Sequence, residues 1–226
     1  TERSMTMKFT SFEVWDRLRI AQKDEGLGKI GNHTFLRNTT TTRPDLDGKA
    51  GGETVWPLCV VRNSETGHGG LSISFGIISA ICMNSVIVTE AFRQVHLGGD
   101  LEIGRYSEET QSADSKALFL KARDTITQAI NPETLKQILG IARGAAEVEI
   151  AAPTIAVENL VKSHGLTDEA KSSILEYFLG DYNRNALGLA QAVSRYSQDL
   201  EDGETAHDLE KIAGLVMANP GEFAEK

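Results

Sequence analysis

The sequence predicts an α+β fold, a small antiparallel sheet with an N-terminal helix, followed by a helical C-terminal half. Three observations lead to this prediction. Apolar residues alternate with other residues over 71–78, run almost continuously over 54–62, and recur at helical spacing after residue 106. We therefore divide the 226 residues into an α/β sheet region, 1–105, and a helical region, 106–226, which we expect to form one continuous globular unit.

The first half is predicted to contain a helix, strands and a long loop. In residues 9–22 the apolar side chains Phe12, Trp15 and Leu18 are three residues apart, which indicates a helix capped by Ser11. A short strand is predicted within 29–37, followed by a polar loop. The strand at 54–62 is expected to be buried on both faces and to form a hairpin with a half-buried strand at 71–78. One more short strand is predicted at 95–97.

The second half is predicted to be a helical bundle. Asn131-Pro132-Glu133 combines a capping residue, a proline in the first turn and an acid at the positive end of the helix dipole. Thr167-Asp168-Glu169 starts another helix, and further helices are predicted over 112–130, 185–200 and 205–218. The residues at core spacing in these helices are Phe119, Ala122, Ile126, Ala129, Ile130, Leu135, Ile138, Leu139, Ala142, Ile174, Leu175, Phe178 and Leu179.

The charge of the chain is unevenly distributed. Residues 1–105 hold 12 basic and 12 acidic side chains, whereas residues 106–226 hold 11 basic and 20 acidic ones and so carry the whole net charge of −9. The overall charge argues against a simple nucleic-acid binder, but a locally basic face in the first half is compatible with it. No apolar run is long enough to span a membrane and no signal pattern is evident, so we expect a cytoplasmic protein.

No motif predicts catalysis, a metal or a cofactor. Gly26-x-Gly28-x-x-Gly31 has the spacing of a dinucleotide fingerprint, but the predicted helix precedes it and a strand follows, the reverse of what phosphate binding requires. The five histidines lack partners at metal-ligand spacing. Cys59 and Cys82 are expected to be buried free thiols. We predict no catalytic residue and therefore no enzyme.

Positive charges and aromatic rings occur on the same predicted strands and loop. Sites for single-stranded nucleic acid need this mixture, because cations follow the phosphates while rings stack on bases. The alternative interpretation is ordinary: basic residues at strand edges and aromatic residues in the core. The candidate nucleic-acid-binding residues are Lys29, Phe35, Arg37, Arg43, Lys49, Trp56, Arg62, Arg93 and His96.

The region after residue 54 resembles a known family. VRNS at 61–64 leads into the turn, the strand at 71–78 is followed by ICMN at 81–84, and FRQVHLG follows at 92–98. These motifs, in this order, resemble the phage/plasmid-like protein family, domain of unknown function 932, with a weaker match at 185–196. The turn departs from the family at Glu65-Thr66, where a His-Asp pair is expected. Within the corner, Asn84 is expected to cap a following helix. The resemblance implies a phage or plasmid context and supplies no catalytic residues.

The predicted order of helix, three strands and helix is also similar to the core of Rad52-like single-strand annealing proteins. This resemblance implies a protein that binds single-stranded DNA and promotes annealing and recombination without nucleotide hydrolysis in a bacterial host. It further implies a homo-oligomer, of which a ring is one form. The alternative hypothesis is an acidic interaction or inhibitor protein of a mobile element, acting on a host defence or repair protein through its negative helical half.

Overall fold

In the computed structural model we describe residues 4–10, 16–18, 53–64, 70–79, 84–95 and 106–224. The strands are β1 (Ser4–Thr10), β2 (Asp16–Leu18), β3 (Glu53–Ser64), β4 (Gly70–Ser79) and β5 (Ser85–Val95). The helices are α1 (Glu108–Ala129), α2 (Pro132–Glu147), α3 (Pro153–His164), α4 (Asp168–Asp181), α5 (Ala186–Ser197), α6 (Gly203–Ala218) and α7 (Gly221–Ala224). An antiparallel sheet followed by a helical half confirms the predicted α+β class.

The predicted N-terminal helix over 9–22 is wrong wherever the structure describes it. Phe9 and Thr10 end β1, and residues 16–18 form β2. The reason lies in the preceding residues, where Met5, Met7 and Phe9 alternate with polar residues at the period of a strand. Strand β3 supplies backbone partners along the whole of β1, and this pairing outweighs the weak helical spacing of a few apolar residues.

Strands β1 and β2 lie one after the other along the same edge of β3. The register places Thr10 opposite Leu58 and Asp16 opposite Val55, so the gap between the two strands faces Trp56 and Pro57. The carbonyl oxygen of Pro57 accepts a hydrogen bond from Thr10 Oγ1 at 2.7 Å and therefore faces this edge. Because N and C=O of one residue point to the same side of a strand, the missing N–H of Pro57 faces the gap, and the proline costs the sheet no ladder bond to β4.

The central strands of the sheet are buried on both faces. On the first face, the side chains of Val55, Cys59, Val61, Ile73 and Ile77 join the main core with the helices. On the second face, a separate cluster is formed by Trp56, Leu58, Val60, Ile78 and Ile87. The double burial predicted for β3 is confirmed. The half-buried strand predicted at 71–78 is β4, but its residues 73–79 are buried on both faces, so the expectation of a solvated face is wrong there.

The sheet curls toward its second face. Strands β1 and β5 are the outer members of the order β1-β3-β4-β5, which would separate them by about 14 Å in a flat sheet. Lys8 on β1 pairs with Val60, and Ser85 on β5 pairs with Ile78, so both side chains point to the second face. Lys8 Nζ nevertheless lies 3.4 Å from Ser85 Oγ. The curl helps to enclose the second cluster and brings α6 within reach of β1.

The helical half is built around a buried central helix. All residues of α5 except Arg195 are buried, which accounts for its composition of small and apolar residues. The predicted starts are confirmed: Asn131 and Thr167 accept hydrogen bonds from Glu133 N and Ala170 N.

Two predicted core positions are wrong, since Leu179 and Phe119 are exposed, Phe119 to 76%. Helix α3 was not predicted. Of the strand predicted at 95–97 only Val95 is described, and it ends the longer strand β5.

Candidate functional site

Two of the predicted nucleic-acid contacts lie in one row across the sheet. Arg62 on β3 is directly opposite Ser72 on β4, and Ser72 is directly opposite Arg93 on β5. Residues opposite one another in antiparallel strands point to the same face, so both arginines share the second face, two strands or about 10 Å apart. We call Arg62, Ser72 and Arg93 the basic row. Thr6 of β1 continues this row at the edge of the sheet.

The other predicted contacts divide into two groups. Lys29, Phe35, Arg37, Arg43, Lys49 and His96 lie outside the described residues, as does Cys82. Trp56 is described, and it is only 2% exposed in the second cluster. Its indole ring therefore packs in the interior, the ordinary alternative to base stacking, and is not presented on the surface. The structure thus brings together Arg62 and Arg93 from the predicted set.

The two arginines of the basic row differ in accessibility. The side chain of Arg93 is 61% exposed and forms a long ion pair with Glu90, at 3.8 Å. That of Arg62 is 17% exposed and its Nη2 bonds to Glu204 Oε1 of α6 at 3.0 Å. Arg93 can meet a polyanion directly, whereas a phosphate that approaches Arg62 has to displace or join the Glu204 carboxylate.

Helix α6 places acids against cations of the second face. Besides the Arg62–Glu204 pair, Lys8 of β1 forms an ion pair with Glu210. In the opposite sense, Lys211 of α6 lies 3.6 Å from Glu90 of β5. These three ion pairs tie α6 to strands β1, β3 and β5. Sequence reasoning missed Lys8 because it fell next to the supposed N-terminal helix, although the alternation of β1 would have placed it on one face of a strand.

Glu210, which pairs with Lys8, also lies next to a second buried titratable side chain, His207. His207 and Glu210 are both almost fully buried, with Nδ1 and Oε2 4.0 Å apart. Burial, together with the charges of Arg62, Lys211 and Lys8, lowers the pKa of His207 to about 3. Burial raises the pKa of Glu210, and Lys8 and Arg62 offset only part of that rise. The imidazole is therefore neutral at neutral pH, and in the described part of the chain neither of its nitrogens has a hydrogen-bond partner.

Asn84 has a different role from the predicted helix cap, because the element that follows it is the strand β5. Its side chain is buried and joins three segments. Nδ2 donates to Tyr182 Oη at 2.9 Å and to the carbonyl oxygen of Gln191 at 3.1 Å, while Oδ1 accepts from Gln198 Nε2 at 2.6 Å. Asn84 therefore holds the start of β5 against α5 and the end of α4. The prediction of a cap is wrong, and the residue is a structural link.

The described residues offer little for catalysis. Cys59 is a buried free thiol, as predicted, and burial raises its pKa to about 11, which keeps it protonated and unreactive at neutral pH. Within the described ranges no group of three or more His, Cys, Asp or Glu side chains is arranged to hold a metal ion. None of the described helices is long and apolar enough to cross a membrane.

No protein-family model, no curated protein and no solved structure matches this chain. The resemblances to the phage/plasmid-like family and to single-strand annealing proteins therefore stay predictions based on the motifs themselves.

Proposed function

We propose that this is a DNA-metabolism protein of a phage or plasmid that binds single-stranded DNA and promotes annealing without nucleotide hydrolysis. The observation that carries the proposal is the basic row. Arg62 and Arg93 were chosen as phosphate contacts from sequence alone, and the register aligns them on one face of the sheet. The two guanidinium groups lie on β3 and β5, with β4 between them. This spacing suits contacts to the phosphates of a nucleic-acid strand, which need no recognition of the bases.

The charge distribution is consistent with a restricted binding face. The acidic excess lies in residues 106–226, and α6 brings part of it to the basic row through Glu204. A polyanion would therefore be repelled from most of the helical half and attracted only where basic residues collect. In this proposal Arg93 makes the first contact, and Arg62 exchanges its carboxylate partner for a phosphate.

The test is the salt dependence of binding to a fluorescent oligonucleotide, measured by anisotropy from low to moderate salt. For binding through phosphates, the logarithm of the binding constant falls linearly with the logarithm of the salt concentration, with a slope of about −0.7 per phosphate for single strands. Arg93→Ala is expected to weaken binding and to make the slope shallower by about 0.7, because one phosphate contact is lost. Annealing of complementary oligonucleotides, followed without any nucleotide, measures the second part of the proposal.

Arg123→Ala is the matched control, because Arg123 is an exposed arginine of α1 that pairs with Asp124 and is not a member of the basic row. It removes the same charge and should leave the slope unchanged. The proposal fails if the native chain does not bind single-stranded DNA at low salt, or if both variants weaken binding equally.

A second candidate function has its own observation in α1. This long helix exposes Phe119 and Leu120, and Tyr106 just before its start is exposed as well. Exposed apolar side chains near acidic residues are typical of a surface that binds another protein. We propose as the alternative an acidic interaction or inhibitor protein of a mobile element that acts on a host defence or repair protein. A stoichiometric host protein recovered by the native chain and lost with Phe119→Glu, without any DNA binding, would favour it over the first proposal.

A further inference from the structure

In the part of the chain that the structure describes, strand β1 forms an open outer edge of the sheet. It pairs with β3 on one side, and the structure describes no strand on its other side. All residues from Met5 to Phe9 are exposed, including the apolar side chains of Met5, Met7 and Phe9. A seven-residue edge of this kind can pair with another strand unless charges or other devices block it.

The charge that would normally protect this edge is turned away from it. Lys8 is the only charged residue of β1, and its ammonium group is held by Glu210 of α6 on the second face. The carboxylate of Glu210 is only 5% exposed, so this partner is fixed inside the protein. The edge therefore lacks an unpaired lysine, the usual residue that prevents edge-to-edge association.

Backbone groups of alternate residues point outward from β1. The carbonyl of Pro57 faces β1, so those of Cys59 and Val61, two and four residues further, face it as well. Their register partners, Phe9 and Met7, direct their own backbone groups to β3. The N–H and C=O groups of Thr6 and Lys8 consequently point to the open side.

The sequence of β1 is complementary to itself in the antiparallel direction. If Met7 lies opposite Met7 of a second copy, Met5 lies opposite Phe9 and Thr6 opposite Lys8. This register pairs apolar residues on one face, sets no like charges directly opposite one another, and joins Thr6 and Lys8 through their outward backbone groups. A two-fold axis that passes between the two Met7 residues generates this register, so both copies make the same contacts.

The opposite edge of the sheet is not equally open. Helix α6 approaches β5 so closely that a Cβ on Gly214 would lie 1.7 Å from the carbonyl oxygen of Ile87. The carbonyl of Val86 lies against Gly76 of β4, and since successive carbonyls alternate, that of Ile87 points to the outer side that α6 covers. A head-to-tail contact between β1 and β5, which would generate a ring, is obstructed at this point.

We propose that two copies of this chain associate through antiparallel pairing of their β1 strands, which joins the two sheets into one. The contact is isologous and closes at two copies, in contrast to the ring that the resemblance to annealing proteins implies. The inference does not rest on DNA binding, and its test contains no DNA.

Sedimentation of the native chain over a concentration series should give the mass of two chains of 24.6 kDa. Met7→Glu and Met7→Lys should each give monomers, because each variant places two like charges opposite one another at the axis. An equal mixture of the two variants should restore the dimer, since opposite charges then meet. Met7 is 40% exposed, so the folded monomer tolerates either charge, and circular dichroism verifies this.

Leu179→Glu on the exposed side of α4 is the control for a new surface charge, because Leu179 is 45% exposed, and it should leave the dimer intact. A native chain that is monomeric or larger than a dimer overturns the proposal. So does a dimer that survives both Met7 charges, a pair of charged variants that stays monomeric when mixed, or a dimer that Leu179→Glu dissociates.

Discussion

At the scale of single residues, His207 couples stability to pH. Its folded pKa is lowered to about 3 from 6.5, so between these values the unfolded chain binds a proton that the folded chain does not. Stability from this residue is present at neutral pH and is lost as the pH falls through 6.5 toward 3. Glu210 acts in the opposite sense above its ordinary pKa, because its folded pKa is raised and the folded chain then holds the extra proton.

We expect His207→Leu to remove the loss of folding stability that His207 causes at acidic pH. Between pH 7 and pH 5 the free energy of unfolding of the native chain should fall by about 2 kcal/mol more than that of this variant, because the imidazole is protonated in the unfolded chain and stays neutral in the folded one. Urea unfolding at the two pH values measures the difference. His164→Leu, at the end of α3, is the control for replacing a histidine outside this cluster. Equal pH dependence in the native chain and His207→Leu would contradict the prediction.

Gly214 and Gly144 provide a matched pair of helix glycines. A Cβ at Gly214 would overlap the carbonyl of Ile87, which is backbone and cannot move aside cheaply, whereas a Cβ at Gly144 of α2 meets nothing within 4 Å. Gly214→Ala should therefore destabilise the fold by about 1–3 kcal/mol or more, despite the better helix propensity of alanine. Gly144→Ala should stabilise it by about 0.5–1 kcal/mol. Free energies of unfolding in urea decide the signs, and a neutral Gly214→Ala would mean that α6 stands farther from β5.

At the scale of elements, Asn84 and Asn131 show how one residue type serves two purposes. Asn131 caps the exposed start of α2 through one hydrogen bond, while Asn84 is buried and makes three that join β5 to the helices. Asn131→Ala should cost about 1 kcal/mol, the usual value of a cap. Asn84→Ala should cost about 2–4 kcal/mol, because buried polar groups lose their partners. Chemical unfolding of the two variants side by side tests the ranking, which similar losses would refute.

Local signals were sufficient to predict the elements that carry them. Asn131-Pro132 and Thr167-Asp168 mark helix starts through bonds within one turn, and the apolar run of β3 indicates burial regardless of its neighbours. The two N-terminal strands were not predicted, because their partner residues in β3 are at least 35 positions away along the chain and no spacing within 9–22 reveals them. The alternation of apolar and polar residues from Met5 to Phe9 is the local signal that indicates β1.

The candidate site was predictable only in part, for a similar reason. The residue types that suit a polyanion can be read from the sequence, and Arg62 and Arg93 were identified in this way. Their alignment through Ser72 depends on strand register, and the pairing of Arg62 with Glu204 joins positions 142 residues apart. Trp56 illustrates the limit, because its position in β3 decides that its ring points into the second cluster.

At the scale of the whole molecule, the acidic half of the chain contacts the basic row through Glu204 of α6. The net charge of −9 opposes DNA binding, but repulsion from acids farther from the row than a Debye length, about 10 Å at 0.1 M salt, is largely screened. Glu204 is different, because it bonds directly to Arg62. Its carboxylate occupies the position that a phosphate would take, so local competition should matter more than total charge.

Glu204→Gln should therefore strengthen binding of single-stranded DNA and steepen the salt slope by about 0.7, as Arg62 becomes available to a further phosphate. Asp208→Asn changes the net charge equally on the same helix, but Asp208 lies 4.0 Å from Lys211 and makes no described ion pair with Arg62 or Arg93. It should alter affinity much less and leave the slope unchanged. Fluorescence anisotropy with one oligonucleotide over a salt series separates the two effects. If both variants strengthen binding to the same extent, total charge governs the interaction and Arg62 is a structural residue that ties β3 to α6.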